Sequence, residues 1–320
     1  MRRTLTTLCA LAAFPAAGAP VLETPVDCAV GDTCYIQNYV DHNAGDGYLD
    51  FTCGPLSYDG HKGTDFALPT LQAMELGVDV LASAAGTVKG TRDGMKDQIL
   101  TAQNAAYVKG RDCGNGVVID HGQGWETQYC HFKQGSVSVA QGDAVTAGTV
   151  LGQIGLSGRT QFPHLHISVR QDGRVVDPFS PESMSDRCGE AGEALWADPL
   201  SYEAGGLIRA GFETGIPDYA DVKSGAAGQA EIAPDAKALV VFAFGYGSQP
   251  GDTLDITISG PSGKVLSQQV TLDKQQAQYF RATGKRKPPQ GWPKGRYEGE
   301  ITLTRDGAAL DQASVTLTVK

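Results

Sequence analysis

Short runs of alternating apolar and polar residues, separated by glycine-containing turns, restrict this chain to a β-rich fold. Leu254, Ile256 and Ile258 alternate with polar residues, and so do Val315, Leu317 and Val319. A period of two puts one face of a strand on a core and the other in water. Pro261-Ser262-Gly263 and Arg305-Asp306-Gly307 supply turns between such runs. Further strands are expected at 78–81, around Gly86-Thr87-Val88, and at 117–120, 127–132, 137–139, 150–154 and 165–169. The stretch His121-Gly122-Gln123-Gly124 reads as a hairpin loop longer than two residues. Residues 90–112 break the pattern and read as an inserted loop with one helical turn.

At 320 residues the chain has room for two domains. Arg2 and Arg3, the mostly apolar stretch 5–14 and the small residues 16–19 read as a signal peptide spanning 1–18. That apolar core falls far short of the roughly 20 residues needed to span a bilayer, and no later segment is long enough either. A polar, irregular N-terminal segment is expected over 19–52, a first domain over 53–195 and a second over 206–320. The second domain has no cysteine or histidine and reads as an immunoglobulin- or fibronectin-like β-sandwich that binds or spaces. The formal net charge of −10 argues against nucleic acid as a partner. The short basic run Lys285-Arg286-Lys287 reads as a solvated loop.

Seven cysteines are present, and Cys9 lies inside the signal segment. An even number in an exported chain reads as disulfides, and no C-x-x-C pair suggests a thiolate metal site. Six cysteines allow 15 connectivities. Proximity favours Cys28 with Cys34, and the flanks of the hairpin favour Cys113 with Cys130. Cys53 and Cys188 are then left to close the first domain.

The chemistry concentrates in a few short tracts. His164 and His166 share one face if Pro163–Arg170 is a strand, with Leu165 and Ile167 on the other. His61 and Asp65 stand four apart, but Gly60, Gly63 and Pro69 oppose a helix, so a loop entering a strand is expected. His131 closes the tract Tyr129-Cys130-His131, and His121 reads as a hydrogen-bonding turn residue. Imidazole and carboxylate are the donor types of a catalytic zinc, which keeps one position open.

Taken in order, H-K-G-T-D-F-A, G-N-G-V-V-I-D-H-G, T-Q-Y-C-H-F and G-L-S-G-R-T-Q-F-P-H-L-H-I-S-V-R resemble the lysostaphin-like M23 zinc metallopeptidases over about 60–178. The resemblance implies a compact antiparallel β-sheet with an open groove. It also implies a Zn2+ site of His61, Asp65 and His166, with His131 and His164 assisting catalysis. The implied activity is an extracytoplasmic endopeptidase that cuts peptide cross-links of bacterial peptidoglycan. Secreted proteolysis of Gly-rich proteins and non-catalytic activation of a cell-wall amidase are the alternatives. The second domain is then expected to bind wall or a protein partner. One departure stands beside the site: Phe162 occupies a position where the family usually has glycine.

Overall fold

The computed structural model describes residues 18–182, 188–189 and 193–320. Most of the signal segment read from the sequence therefore lies outside the described residues. The fold is mainly β. Its first part contains β1 (Tyr35–Asn38), β2 (Thr64–Ala67), β3 (Asp79–Leu81), β4 (Gly86–Arg92), β5 (Gly116–Gly122) and β6 (Trp125–Cys130). Then follow β7 (Ala144–Val145), β8 (Val150–Gln153), β9 (His164–Gln171) and β10 (Arg174–Val176). The main sheet runs β1-β2-β9-β6-β5-β4-β7, with β10 on β9, and β3 pairs with β8 separately. Every pairing between these strands is antiparallel.

The alternation pays out as burial on one face. Leu165, Ile167 and Val169 on β9 join Tyr129, Val117 and Ile119 in one buried apolar cluster. Fully burying a side chain of this size contributes about 1.5–3 kcal/mol. The opposite face of β9 is left to His164 and His166.

Several local expectations change. The N-terminal segment is not irregular throughout: β1 is fully buried and forms an edge of the main sheet. The β5–β6 loop has two residues, because Gln123 (φ 51°) and Gly124 (φ 79°) both adopt the left-handed geometry of a tight hairpin. The pairing shifts register between Asp120 and Gly122, and this bulge consumes the residues that had read as loop. Residues 137–139 form no strand, since Asp93 Oδ2 accepts from Val137 N and only Ser138 N reaches Leu151 O. The insertion starts after β4, which extends to Arg92, and it carries the short helix α2 (Ala105–Val108). An unforeseen helix, α1 (Leu71–Leu76), begins where Thr70 Oγ1 accepts from Ala73 N.

The second part holds β11 (Gly206–Glu213), helix α3 (Tyr219–Ser224), β12 (Glu231–Ile232), β13 (Ala238–Ser248), β14 (Thr253–Gly260), β15 (Gly263–Thr271), β16 (Gln276–Arg286), β17 (Gly295–Arg305) and β18 (Ala308–Val319). One sheet is β11-β13-β16 and the other β12-β18-β17-β14-β15. Phe212, Val241 and Tyr279 from the first share a buried cluster with Ile256, Ile301 and Leu317 from the second. Lys285 and Arg286 are exposed but belong to the end of β16, not to a loop.

The two parts meet at β1. Gln37 Nε2 donates to Ala277 O at 2.7 Å, and the Tyr35 and Tyr246 rings lie 4.5 Å apart. The second part thereby covers a strand edge that would otherwise be free to pair with another chain.

Three disulfides join Cys28 to Cys34, Cys53 to Cys188 and Cys113 to Cys130. Their sequence separations differ widely, at 6 for Cys28–Cys34 and 135 for Cys53–Cys188. Loop-closure entropy grows with the logarithm of that length. Replacing Cys53 and Cys188 by alanine is therefore expected to destabilise the protein by about 3 kcal/mol more than replacing Cys28 and Cys34. Urea unfolding of the two double variants measures the difference.

Candidate metal centre

The site begins with strand register. β2 pairs with β9 so that Asp65 faces His166 and Ala67 faces His164. On its other side, β9 places His166 opposite Cys130 of β6, and His131 follows directly. His61 approaches from the loop before β2. Gly63 makes that approach possible: a Cβ there would stand 2.4 Å from Ile167 O and 2.6 Å from His166 Nε2. Its φ is not positive, so what requires glycine here is close passage over the His166 ring.

All five sequence candidates converge. His61 Nε2, Asp65 Oδ1 and His166 Nδ1 form a triangle with sides of 3.2, 2.8 and 3.1 Å. His164 Nε2 lies 3.5 Å from the same Asp65 oxygen. The His131 ring sits 4.6 Å from that of His164. His121 stays apart, bonded through Nδ1 to Ala85 O and through Nε2 to Thr127 Oγ1. His42 is also apart, buried against Asp177 at 2.7 Å.

Second partners fix the ring tautomers. A carbonyl oxygen can only accept, so a nitrogen bonded to one carries the proton. His61 Nδ1 donates to Tyr39 O (2.6 Å), His131 Nδ1 to Ser157 O (2.7 Å) and His164 Nδ1 to Phe162 O (2.9 Å). In the neutral rings each Nε2 is then a lone-pair donor facing the site. His166 is reversed: Nε2 contacts Ser168 Oγ at 3.0 Å and Nδ1 faces inward. Asp65 divides its oxygens, with Oδ2 accepting from Asn38 Nδ2 at 3.0 Å and Oδ1 turned to the imidazoles.

Electrostatics follow from burial and this one carboxylate. Burial raises the Asp65 pKa, but the surrounding imidazoles outweigh it and hold the carboxyl well below its usual range. Burial lowers His61 too, yet the charge and hydrogen bond of Asp65 leave its pKa raised. Burial is the largest cause in the other three rings, and all are depressed, His131 most strongly, with His164 adding to its shift. The result is one carboxylate among mostly neutral imidazoles.

The donor set fits a zinc ion. Tetrahedral zinc with bonds of about 2.0–2.1 Å holds its ligand atoms about 3.3–3.4 Å apart. The observed edges are slightly shorter. Three electron-rich atoms this close need a positive charge between them, supplied either by protons or by a cation. Only three protein donors meet there among the described residues, which leaves a position for water or substrate.

The sequence reading missed three neighbours. Ser168 lies two residues after His166 on the same strand face, so period-two reasoning could have found it. Asn38 carried no signal, because its relation to Asp65 needs the β1–β2 pairing. Tyr58, half exposed, places its ring 4.2 Å from that of His61. Phe162, noted for its unusual position, stacks on His164 at 4.4 Å.

Residues 59–178 match the model of peptidase family M23. The DD-carboxypeptidase/endopeptidase Mpg of Neisseria meningitidis serogroup B is 35% identical over 148 residues, covering 44% of this chain and 28% of that protein. The peptidoglycan DD-endopeptidase ShyA of Vibrio cholerae is 35% identical over 117 residues, covering 37% and 22%. The chain thus spans less than a third of the length of these curated relatives. Among solved structures, a mutant catalytic domain of the prophage-encoded M23 protein EnpA from Enterococcus faecalis aligns over 47% of this chain and 92% of its own, with 22% identity and a TM-score of 0.32.

Asn38→Ala removes the donor that orients Asp65. Loss of such an outer partner typically weakens metal binding about 10–100-fold. The expected outcome is a drop of that size in zinc affinity with an unchanged circular dichroism spectrum, measured by competition with a chromophoric chelator.

Proposed function

Residues 59–178 are an M23-family peptidase domain, and from that premise we infer that this protein is a zinc-dependent endopeptidase that cuts peptide cross-links in bacterial peptidoglycan. The observation that carries the reading is the triangle of His61, Asp65 and His166 with two further buried imidazoles beside it. The names of the relatives support the substrate class. A complete donor set disfavours a non-catalytic activator.

His61 Nε2, Asp65 Oδ1 and His166 Nδ1 would hold the metal. A zinc ion bound there supplies Lewis acidity to the scissile carbonyl and acidifies water at neutral pH. The chain's own contribution lies in proton handling. With Nδ1–H committed to backbone carbonyls, neutral His131 and His164 can only accept at Nε2. Their depressed pKa values keep them ready to do so at pH 7. The ring that takes the proton of the attacking water becomes an Nε2 donor, able to stabilise the oxyanion and protonate the leaving amine. The second ring then stays neutral, because each imidazole disfavours charge on its neighbour.

We place this chemistry outside the cytoplasm. Three disulfides suit an oxidising compartment, and the basic, then apolar N-terminus has the pattern of an export signal. No helix among the described residues is long and apolar enough to cross a membrane.

Purified peptidoglycan incubated with the protein should release peptides with new amino termini. Chelator should stop the release and added zinc restore it. Absence of metal-dependent cleavage would end the enzymatic reading. His164→Ala is expected to keep stoichiometric zinc while losing roughly 10²–10⁴-fold in kcat. His166→Ala is expected to lose the zinc itself, as read by metal analysis after dialysis.

A further inference from the structure

We propose that the second domain completes a substrate subsite beside the catalytic imidazoles, with Lys223 on α3 reading the carboxylate of a terminal alanine. The inference rests on the peptidoglycan reading for the identity of the peptide.

A small crevice opens at the seam between the two parts of the molecule. Leu68, Pro69 and Phe162 of the first domain and Ile99 of its insertion form one side, and Phe244 and Lys223 of the second domain close it. Phe162 connects the crevice to the chemistry, because its ring is stacked on that of His164. A group held against Phe162 is therefore one side chain away from the residue assigned to proton transfer.

The seam is rigid enough to act as a recognition wall. α3 ends at Gly225 in a left-handed cap (φ 94°), and a Cβ there would stand 3.0 Å from Gln72 Oε1 and 3.2 Å from Thr70 Cβ. The left-handed φ favours glycine, and the tight contact brings the end of α3 against the start of α1. On its other side α3 is anchored by buried Val222, which packs with Phe242 and Phe244. Tyr219 stacks on Phe280 as well.

Size and charge define the occupant. The cavity volume of about 20 Å³ admits one group the size of a methyl or a water. Apolar walls favour the methyl. Lys223 is half-buried at the rim, and its Nζ lies 4.8 Å from the Tyr219 ring centroid. Among the described residues no carboxylate forms an ion pair with it, in a chain of net charge −10. An ammonium with no carboxylate partner beside a methyl-sized apolar niche fits a terminal alanine: the methyl fills the niche and the carboxylate meets Lys223. An amidated terminus leaves the ammonium without a carboxylate partner.

The test measures binding to the zinc-free full-length mature protein by NMR titration. The probe is an acetylated tripeptide ending in D-alanine, offered as the free acid and as the amide. A charge-assisted hydrogen bond predicts roughly tenfold or tighter binding of the acid. Lys223→Gln should erase that preference and leave amide binding unchanged, while Lys287→Gln, an exposed control on the same domain, should keep it. Equal affinity for acid and amide, no binding of either, or a preference retained in Lys223→Gln overturns the subsite. Wall cleavage by the wild type is scored separately. Selective binding without any cleavage overturns the enzymatic reading and leaves the subsite standing.

Discussion

The register between β2 and β9 is the constraint on which the site depends. It sets Asp65 directly across from His166, and a slip of β2 by one residue would turn Asp65 to the opposite face of the sheet, away from His166. The register is held by apolar residues. Phe66, Leu165 and Ile167 are fully buried on the far face, and exposing them would cost several kcal/mol. Core packing on one side thus positions polar chemistry on the other. A buried carboxylate among imidazoles is unfavourable in isolation. It persists here because Asn38 satisfies one oxygen and the imidazoles converge on the other.

The second domain extends this frame. It seals the β1 edge, whose Asn38 supports Asp65, and its helix α3 lies against α1 near the approach to His164. Arg305 fastens the junction. Its guanidinium pairs with Asp252 through two nitrogens and also donates to the carbonyls of Ala204 and Gly247. A unit without any histidine or cysteine can still shape catalysis if its position is fixed to this degree. The sequence reading of the C-terminal half as a binding or spacing module did not include these contacts with the first part of the chain.

What was legible in the sequence follows from locality. H-x-H on a strand and H-x-x-x-D entering one are spaced by backbone periodicity, so their faces could be read directly. The strands of the C-terminal half were equally plain, because Leu254, Ile256 and Ile258 alternate without interruption. The tight hairpin escaped because Gln123 is an unusual residue for positive φ, and because the bulge before it hid the register. Asn38 and Lys223 were unreadable for a different reason. Their functions depend on pairings between segments far apart in sequence, and no local pattern encodes those. Helix α1 was not read, because its six residues are too few to show a helical period.

X-ray absorption spectroscopy of the zinc-loaded protein tests the central claim most directly, because it reads the donor atoms themselves. The account predicts one bound zinc with two imidazole nitrogens and oxygen donors at about 2.0–2.2 Å, and no sulfur. A sulfur shell near 2.3 Å, or a shell of four imidazoles, would contradict it.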